Sequence, residues 1–442
     1  TALVCYNVCK CDLKGRFDMN KKIIAALCAL TICLSAAACG QTDSAEDAPA
    51  ETTAAQSAPA PVTMATEAVP TEPVDLSKGL TDAMYERAVV SEGNKARLAK
   101  AMKKAANGED ITVGVIGGSI TQGSSATDHN NCYAELFHKY WVEKFPQSNV
   151  NFVNAGIGGT NSYLGVHRVD TQLLDSKPDA VIVEFSVNDT DKLMNKYSYD
   201  SLVRKILNCD SQPAVMLLFT TQEDGTSLWE THKEIGAAYD LPMLSYRAVV
   251  YPEVSAGTLD WKDISPDNIH PNDEGHKLIG QLVSRYLDSV YDDLDNIDDS
   301  SVAFDTPAYT ADYYKDAKML GASDITPREI SGFEQGGNSV YPELFPDNFV
   351  TEGEGYLKFE TECKCLGFFY LKKVDGKGGK YDVYVDGERK GTLDADFKGG
   401  WGNYGETQQI LISKDSEKHT VEIKLAEGST NTSLTILGIM ES

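Results

Sequence analysis

The chain is poor in basic residues for its length. Its 442 residues include 40 lysines and arginines against 66 aspartates and glutamates, which gives a formal net charge of −26. Nucleic acids and anionic lipid surfaces repel a protein of this charge, so neutral substrates are favoured over polyanions. The charge balance therefore predicts that nucleic acid is not a partner.

Cysteine is also scarce once the first 39 residues are set aside. The remaining cysteines are Cys132, Cys209, Cys363 and Cys365, too few for a disulfide framework. Cys363 and Cys365 have no second pair at ligand spacing, which favours buried thiols on one side of a strand over a zinc site. We therefore predict neither a metal nor a cofactor.

No apolar run near the start is long enough for a comfortable membrane span. The apolar residues 23–34 follow a short basic start at 19–22 and precede small residues that end in Cys39. This pattern resembles a bacterial lipoprotein signal, which implies a lipidated Cys39; an ordinary secretory signal cut at the alanines is the alternative. We predict a leader and signal at 1–38 and an extracytoplasmic protein that only this lipid anchors to the cell membrane.

The segment 39–75 is rich in Ala, Thr, Pro, Glu and Ser and has almost nothing to bury, so we predict a lipidated cysteine followed by a disordered linker. Residues 76–296 form the next predicted domain, which starts with a helical stretch at 76–108. Strands then alternate with helices, a spacing that predicts a three-layer α/β/α domain with a parallel sheet. The predicted strands are 112–116, 150–154, 180–186, 214–219 and 242–244, and the closing helix is 275–291.

After about residue 293 the texture of the sequence changes. Residues 300–345 hold few apolar runs, and short alternating strands follow from 355 onward. Asp386-Gly387 is a strong hairpin signal within this part. We predict that 297–442 is a smaller all-β sandwich or jelly-roll domain, which could bind carbohydrate.

The segment 111–123 (ITVGVIGGSITQG) is typical of a buried strand that stops at a tight turn. Gly117 and Gly118 remove the Cβ where the backbone must bend, and Ser119 follows at the carboxyl end of the strand. Ligands bind at this edge in open α/β sheets; a serine that merely caps a helix is the alternative. Thr121 replaces the second glycine of G-x-S-x-G, which argues against an α/β-hydrolase elbow.

Further polar groups follow at the same predicted edge. Gly159 lies after the second strand, Asn188 after the third, and Asp267 and His270 before the closing helix. A serine hydroxyl needs a base such as histidine, and glycine-rich backbone together with an amide can stabilise an oxyanion. Such convergence favours one site over independent loops.

Over about residues 108–291 these blocks resemble the SGNH (GDSL-type) hydrolase family. Gly117-Gly118-Ser119-Ile120 matches the nucleophile block, with Gly118 where the family usually has aspartate. The other matches are Gly159, Asn188 and Asp267-x-x-His270, in which Asn268 replaces the commoner glycine.

The resemblance implies specific roles for the matched residues. Ser119 would be the nucleophile, His270 the general base and then acid, and Asp267 the group that orients the histidine. The oxyanion hole would consist of the amides of Ser119 and Gly159 and the side chain of Asn188. This implies a serine-dependent carboxylic-ester hydrolase.

These features favour O-deacetylation of an acetylated polysaccharide at the cell surface. The anchor, the acidic charge and the appended β-domain motivate this expectation. The alternatives are a carbohydrate-binding surface lipoprotein with little activity and an esterase for acyl-chain or peptidoglycan esters. No long apolar lid lies between residues 123 and 189, which argues against a lipase for long-chain substrates.

Trp401 and Tyr404 are the candidate substrate-binding residues of the β-domain. They lie in the glycine-rich run 397–404 (FKGGWGNY), where glycines leave space around a flat ring. An exposed ring can stack on the apolar face of a sugar. A core position for Trp401 is the alternative.

Overall fold

The structure is a computed structural model that describes residues 70–300, 302–400 and 402–442. The predicted leader at 1–38, Cys39, the linker up to residue 69, and Trp401 lie outside the described residues. Within the described part, no helix combines the length and the apolar character that a bilayer crossing requires.

The first half of the described chain alternates helices and strands. The strands are β1 (Val89–Ser91), β2 (Ile111–Gly117), β3 (Val150–Gly156), β4 (Ala180–Glu184), β5 (Ala214–Phe219) and β6 (Met243–Ser245). The helices are α1 (Asp82–Ala88), α2 (Ala96–Ala106), α3 (Ser119–Gln122), α4 (Tyr133–Lys144), α5 (Ser162–Gln172), α6 (Leu193–Asn208), α7 (Trp229–Ala238), α8 (Tyr246–Ala256), α9 (Trp261–Ile264) and α10 (Asp273–Asp292).

These strands form one sheet in the order β1-β6-β5-β4-β2-β3. The five strands β2 to β6 are parallel to one another, as predicted. Strand β1 is a correction, because it pairs antiparallel with β6 inside the stretch 76–108 that we predicted as helical. A three-residue edge strand between two helices carries too few residues for a period to show.

Two apolar cores cover the two faces of the sheet. In β4, Ala180 and Ile182 belong to the core under α1, α2, α4, α8 and α10, whereas Val181 and Val183 belong to the core under α5, α6 and α7. Alternate side chains of a strand point to opposite faces, so an all-apolar strand needs helices on both sides. The predicted three-layer α/β/α architecture is confirmed.

Residues 70–75 differ from their predicted place in a disordered linker. The N–H of Val74 donates to the carbonyl of Thr258 at 2.9 Å, and the Val74 side chain packs against the first core. One valine among acidic and proline residues makes no periodic apolar pattern, so its packing against the core is not predictable from the sequence.

The second half of the described chain is an antiparallel all-β domain. Its strands are β7 (Lys318–Leu320), β8 (Glu329–Ser331), β9 (Glu334–Gly336), β10 (Asn348–Thr351), β11 (Tyr356–Lys372), β12 (Lys380–Val385), β13 (Glu388–Asp394), β14 (Tyr404–Leu425) and β15 (Leu434–Glu441). The main path runs β13-β12-β14-β11-β15-β10-β9, while β7 pairs with β15 and β8 with β11. The predicted hairpin turn lies between β12 and β13, with φ of 54° at Asp386 and 83° at Gly387.

The pairing of the long strand β11 is interrupted near its middle, and this interruption helps to enclose the β-domain core. The register with β14 shifts between Cys363 and Cys365, so β14 carries extra residues at this point. Leu357 before the shift and Phe368 after it belong to the same core cluster. Both thiols are buried, but Cys363 lies in this core and Cys365 in the core under α5 and α6, which corrects their predicted common side.

The two domains share that second core of the α/β sheet. Phe369, Leu437 and Met440 of the β-domain pack in one cluster with Tyr163 of α5. A continuous buried apolar cluster makes relative movement of two domains costly. The β-domain is therefore held in a fixed position against the α/β domain.

Candidate active site

Ser119 is the first residue of the one-turn helix α3, which follows β2 across Gly118. A Cβ on Gly117 would lie 2.1 Å from Thr121 Oγ1, and one on Gly118 would lie 2.3 Å from Asn188 Oδ1. Both glycines are therefore required by close approach of neighbouring side chains. At Gly118 the side chain of Asn188 occupies the space that a Cβ would need.

Three of the predicted site residues form one hydrogen-bonded chain. His270 Nε2 lies 2.9 Å from Ser119 Oγ, and His270 Nδ1 lies 2.8 Å from Asp267 Oδ2. Asp267 is a hydrogen-bond acceptor when ionised, so the Nδ1–H donates to it and Nε2 is left to accept the serine proton. The arrangement can generate a serine nucleophile.

The turn that carries Asp267 and His270 is held from within. Asp267 Oδ1 accepts the amide protons of Ile269 at 2.8 Å and His270 at 2.7 Å. The indole of Trp261 and the hydroxyl of Ser265 donate to the carbonyl of Asp267 at 2.6 and 2.7 Å. Partial burial works to raise the pKa of Asp267, but the bonds from His270 and Ile269 outweigh it, and the pKa is lowered.

The predicted oxyanion donors lie around Ser119. The amide of Ser119 opens α3, where the first N–H groups of a helix have no intrahelical acceptor. Asn188 lies against Gly118, and its Oδ1 is buried without a hydrogen-bond partner. Gly159, with φ of 73°, follows Gly158, whose amide donates to Gln122 Oε1 at 2.8 Å and thereby ties this loop to α3.

Tyr404, the described member of the predicted sugar-binding pair, is half-buried at the start of β14. Its hydroxyl donates to Glu406 at 2.9 Å, and its ring meets the edge of Phe397 at a centroid distance of 4.9 Å. Both its hydroxyl and its ring are therefore engaged in contacts within the β-domain.

A buried polar layer beneath α3 was missed from the sequence. Glu184, at the end of β4, is fully buried and accepts hydrogen bonds from Thr220 Oγ1 at 2.6 Å and Thr121 Oγ1 at 3.2 Å. Burial raises the pKa of Glu184 to about 7. The available signal was a glutamate inside the apolar run 180–185, since a fully buried glutamate is rare unless it has a task.

A second buried carboxylate, Asp189, lies beside Asn188. Asp189 Oδ2 lies 3.0 Å from His232 Nε2, and both side chains are fully buried. Asp189 Oδ1 accepts the amide proton of Ser162 at 2.8 Å and a proton of the Asn195 side chain at 3.2 Å. One carboxylate thus ties the loop of Asn188 to helices α5, α6 and α7, a link between distant residues that spacing does not reveal.

Arg168 of α5 lies behind the nucleophile turn. Its guanidinium is buried and donates to the carbonyl of Gly117 at 3.3 Å and to Gln172 at 2.9 Å. Burial lowers the pKa of Arg168 to about 9. Asp170, two residues further along α5, pairs with Lys205 at 2.6 Å.

Comparison with known proteins shows a family match over the region that contains these residues. The profile of the GDSL-like lipase/acylhydrolase family matches residues 115–278, which include all five predicted catalytic and oxyanion residues. A search of the curated proteins gave no match.

Two solved structures are similar to the chain over both domains. A two-domain esterase active on acetylated mannans, co-crystallized with mannopentaose, is 31% identical with a TM-score of 0.75 and covers 81% of this chain and 97% of its own. A second crystal structure of a two-domain esterase active on acetylated mannans gives 31% identity, a TM-score of 0.74, and coverage of 81% and 98%. On the family match and this likeness over both domains, the chain belongs to the GDSL-like lipase/acylhydrolase family.

Proposed function

We propose that this protein is a serine-dependent carbohydrate O-acetylesterase. The observation that carries the proposal is the chain Ser119–His270–Asp267, with contacts of 2.9 and 2.8 Å at the carboxyl edge of the sheet. In it a nucleophile meets a base whose tautomer is fixed by a carboxylate.

The first half-reaction forms an acetyl-enzyme. Ser119 Oγ attacks the ester carbonyl carbon while His270 Nε2 takes the hydroxyl proton, and the carbonyl electrons move onto the oxygen. The amides of Ser119 and Gly159 and the side chain of Asn188 donate to that oxyanion. When the intermediate collapses, the bond to the sugar oxygen breaks, and His270 returns the proton to that oxygen.

The second half-reaction releases acetate. A water molecule attacks acetyl-Ser119 while His270 again takes a proton, and collapse of the second tetrahedral intermediate returns that proton to Ser119 Oγ. Asp267 stays ionised throughout because its pKa is lowered. Its negative charge stabilises the imidazolium that forms twice in each turnover.

Two observations support an acetylated carbohydrate as the substrate. The similar two-domain esterases are active on acetylated mannans. The formal charge of −26 favours a neutral polymer over an anionic one.

Acetate release from a panel of polymers tests the substrate class. We expect release from acetylated mannan that is absent with Ser119→Ala, and little cleavage of long-chain p-nitrophenyl esters. Preference for long acyl chains would identify an acyl-chain esterase, and binding of mannan without acetate release would identify a binding protein.

We also propose that the β-domain positions the polymer through Trp401 and Tyr404. The half-buried Tyr404 has a hydroxyl anchored by Glu406, which holds its ring in place. Trp401→Ala should lower activity on acetylated mannan more than activity on p-nitrophenyl acetate. An equal fall of both activities together with a large loss of thermal stability would assign Trp401 to the core instead.

The location that we propose is extracytoplasmic, with a lipid anchor at Cys39. The small-residue run before Cys39 and the acidic, proline-containing segment after it support this proposal. Cys39→Ala should move the protein from the membrane fraction to the soluble fraction and leave its catalysis intact. Retention of the variant in the membrane fraction would require another anchor.

A further inference from the structure

The helix that presents Ser119 has little stability of its own. Helix α3 is one turn long, and its N-cap, Gly118, offers no side-chain hydrogen bond. A single helical turn is unfavourable in isolation because its nucleation cost is not repaid. Contacts from outside the turn must therefore hold the serine in register with His270.

Thr121 makes several such contacts from within the turn. It lies two residues after the nucleophile, is fully buried, and places Oγ1 2.7 Å from Tyr133 Oη and 3.2 Å from Glu184 Oε2. Its carbonyl accepts a proton from Asn154 Nδ2 at 3.0 Å. The hydroxyl of Thr121 thus links the nucleophile turn to Glu184 in the sheet beneath it, and its carbonyl links the turn to Asn154.

Glu184 is the sheet's side of that link. It pairs in register with Gly117, the last residue of β2, and its second oxygen is fixed by Thr220 at 2.6 Å. No lysine, arginine or histidine among the described residues forms an ion pair with it. A carboxyl buried without a cation costs folding free energy, so simple space-filling would favour an apolar side chain.

We propose that Glu184 is a positioning residue for the nucleophile: its buried carboxyl holds the Thr121 hydroxyl, and Thr121 fixes the one-turn helix that aims Ser119 at His270. The inference rests on the proposed role of Ser119 as nucleophile. Attack requires the reacting atoms at near-contact distance, so a small displacement of α3 lowers the rate without a matching change in ground-state binding.

Two matched pairs of variants test the proposal. Thr121→Val removes the hydroxyl at constant shape, and Thr121→Ser keeps it. Glu184→Leu removes the hydrogen-bonding group, and Glu184→Gln keeps it without a charge. Hydrolysis of p-nitrophenyl acetate should show a kcat lower by about 10- to 100-fold for Thr121→Val and Glu184→Leu, with KM changed by less than about twofold.

The conservative partners, Thr121→Ser and Glu184→Gln, should recover most of the lost kcat. The double variant Thr121→Val/Glu184→Leu should lose no more than the worse single variant, because both changes break one link. Thermal unfolding of each variant reports whether folding itself is affected, and Thr121→Val retains the test if Glu184→Leu does not fold.

The proposal is overturned if Thr121→Val keeps the wild-type kcat, or if Thr121→Val and Thr121→Ser lose it equally. Additive losses in the double variant overturn it as well. An inactive wild-type protein would refute the proposed function instead, so the two failures are distinguishable.

Discussion

The front and the back of the active site are built in different ways. At the front, the side chains of Asp267 and His270 are 45% and 26% exposed, and both come from the loop between α9 and α10. At the back, Thr121 of α3, Glu184 of β4 and Thr220, directly after β5, are fully buried. In the function that we propose, the front carries the chemistry, and in the positioning role that we propose, the back holds the nucleophile turn in place.

Substitution of the reacting groups at the front should therefore cause the larger loss of kcat. Ser119→Ala and His270→Ala should each lower kcat on acetylated mannan by roughly four to six orders of magnitude, since nucleophile and base act as one unit. The double variant should be no worse than either single one. Ser148→Ala, a serine before β3, is the matched control, and a Ser119→Ala enzyme with measurable turnover would break the comparison.

Asn188 lies between front and back, and its substitution should lower kcat by an intermediate amount. Asn188→Ala should lower kcat by roughly two to three orders of magnitude with a smaller change in KM, because one oxyanion donor is removed. Steady-state kinetics on p-nitrophenyl acetate measure both constants. A change confined to KM would mean that Asn188 binds the substrate in its ground state.

Substitution of Gly118 tests how closely the nucleophile turn packs against Asn188. A Cβ there would lie 2.3 Å from Asn188 Oδ1, so Gly118→Ala must displace the amide. We expect kcat to fall by about tenfold or more, but by less than in Asn188→Ala. Gly353→Ala is the control, because a Cβ on Gly353 meets nothing within 4 Å; equal kinetics for the two variants would contradict the steric account.

The buried carboxyl of Glu184 at the back should make the stability of the protein depend on pH. Burial raises the pKa of Glu184 from 4.5 to about 7, with the charge of Asp189 adding to the effect and the bonds from Thr220 and Thr121 opposing it. The folded state therefore binds the proton more tightly than the unfolded state does. The associated stability is present below about pH 4.5 and is lost as the pH rises through about 7.

Glu184→Gln removes this titration. Its free energy of unfolding relative to the wild type should rise between about pH 5 and pH 8 by on the order of 1–3 kcal/mol. Chemical denaturation at a series of pH values measures the difference. A difference that stays constant with pH would show that Glu184 does not change its protonation state in this range.

The sequence supported prediction of the front and not of the back for a physical reason. Asp267 and His270 lie three residues apart, and Ser119 lies after two glycines at a strand end, so local patterns reveal them. Thr121 and Glu184 are 63 positions apart, and Glu184 and Thr220 are 36 apart. Their contact depends on which strands become neighbours, and spacing alone does not state this.

The same distinction holds for the fold. The alternation of apolar strands predicted the three-layer domain, because each buried strand carries its own periodic signal. Strand β1 was missed because its three residues are too few to show a period. The register shift at Cys363 and Cys365 was missed because a bulge is a property of the pair of strands.

Labelling with a fluorophosphonate probe tests the central claim most directly. The account predicts that one probe molecule per protein attaches to Ser119, as mapped by peptide mass spectrometry, and that acetate release from acetylated mannan falls in parallel with labelling. The His270→Ala variant should label at a greatly reduced rate. Attachment at another residue, or full acetate release from protein labelled at Ser119, would contradict the assignment of Ser119 as the nucleophile.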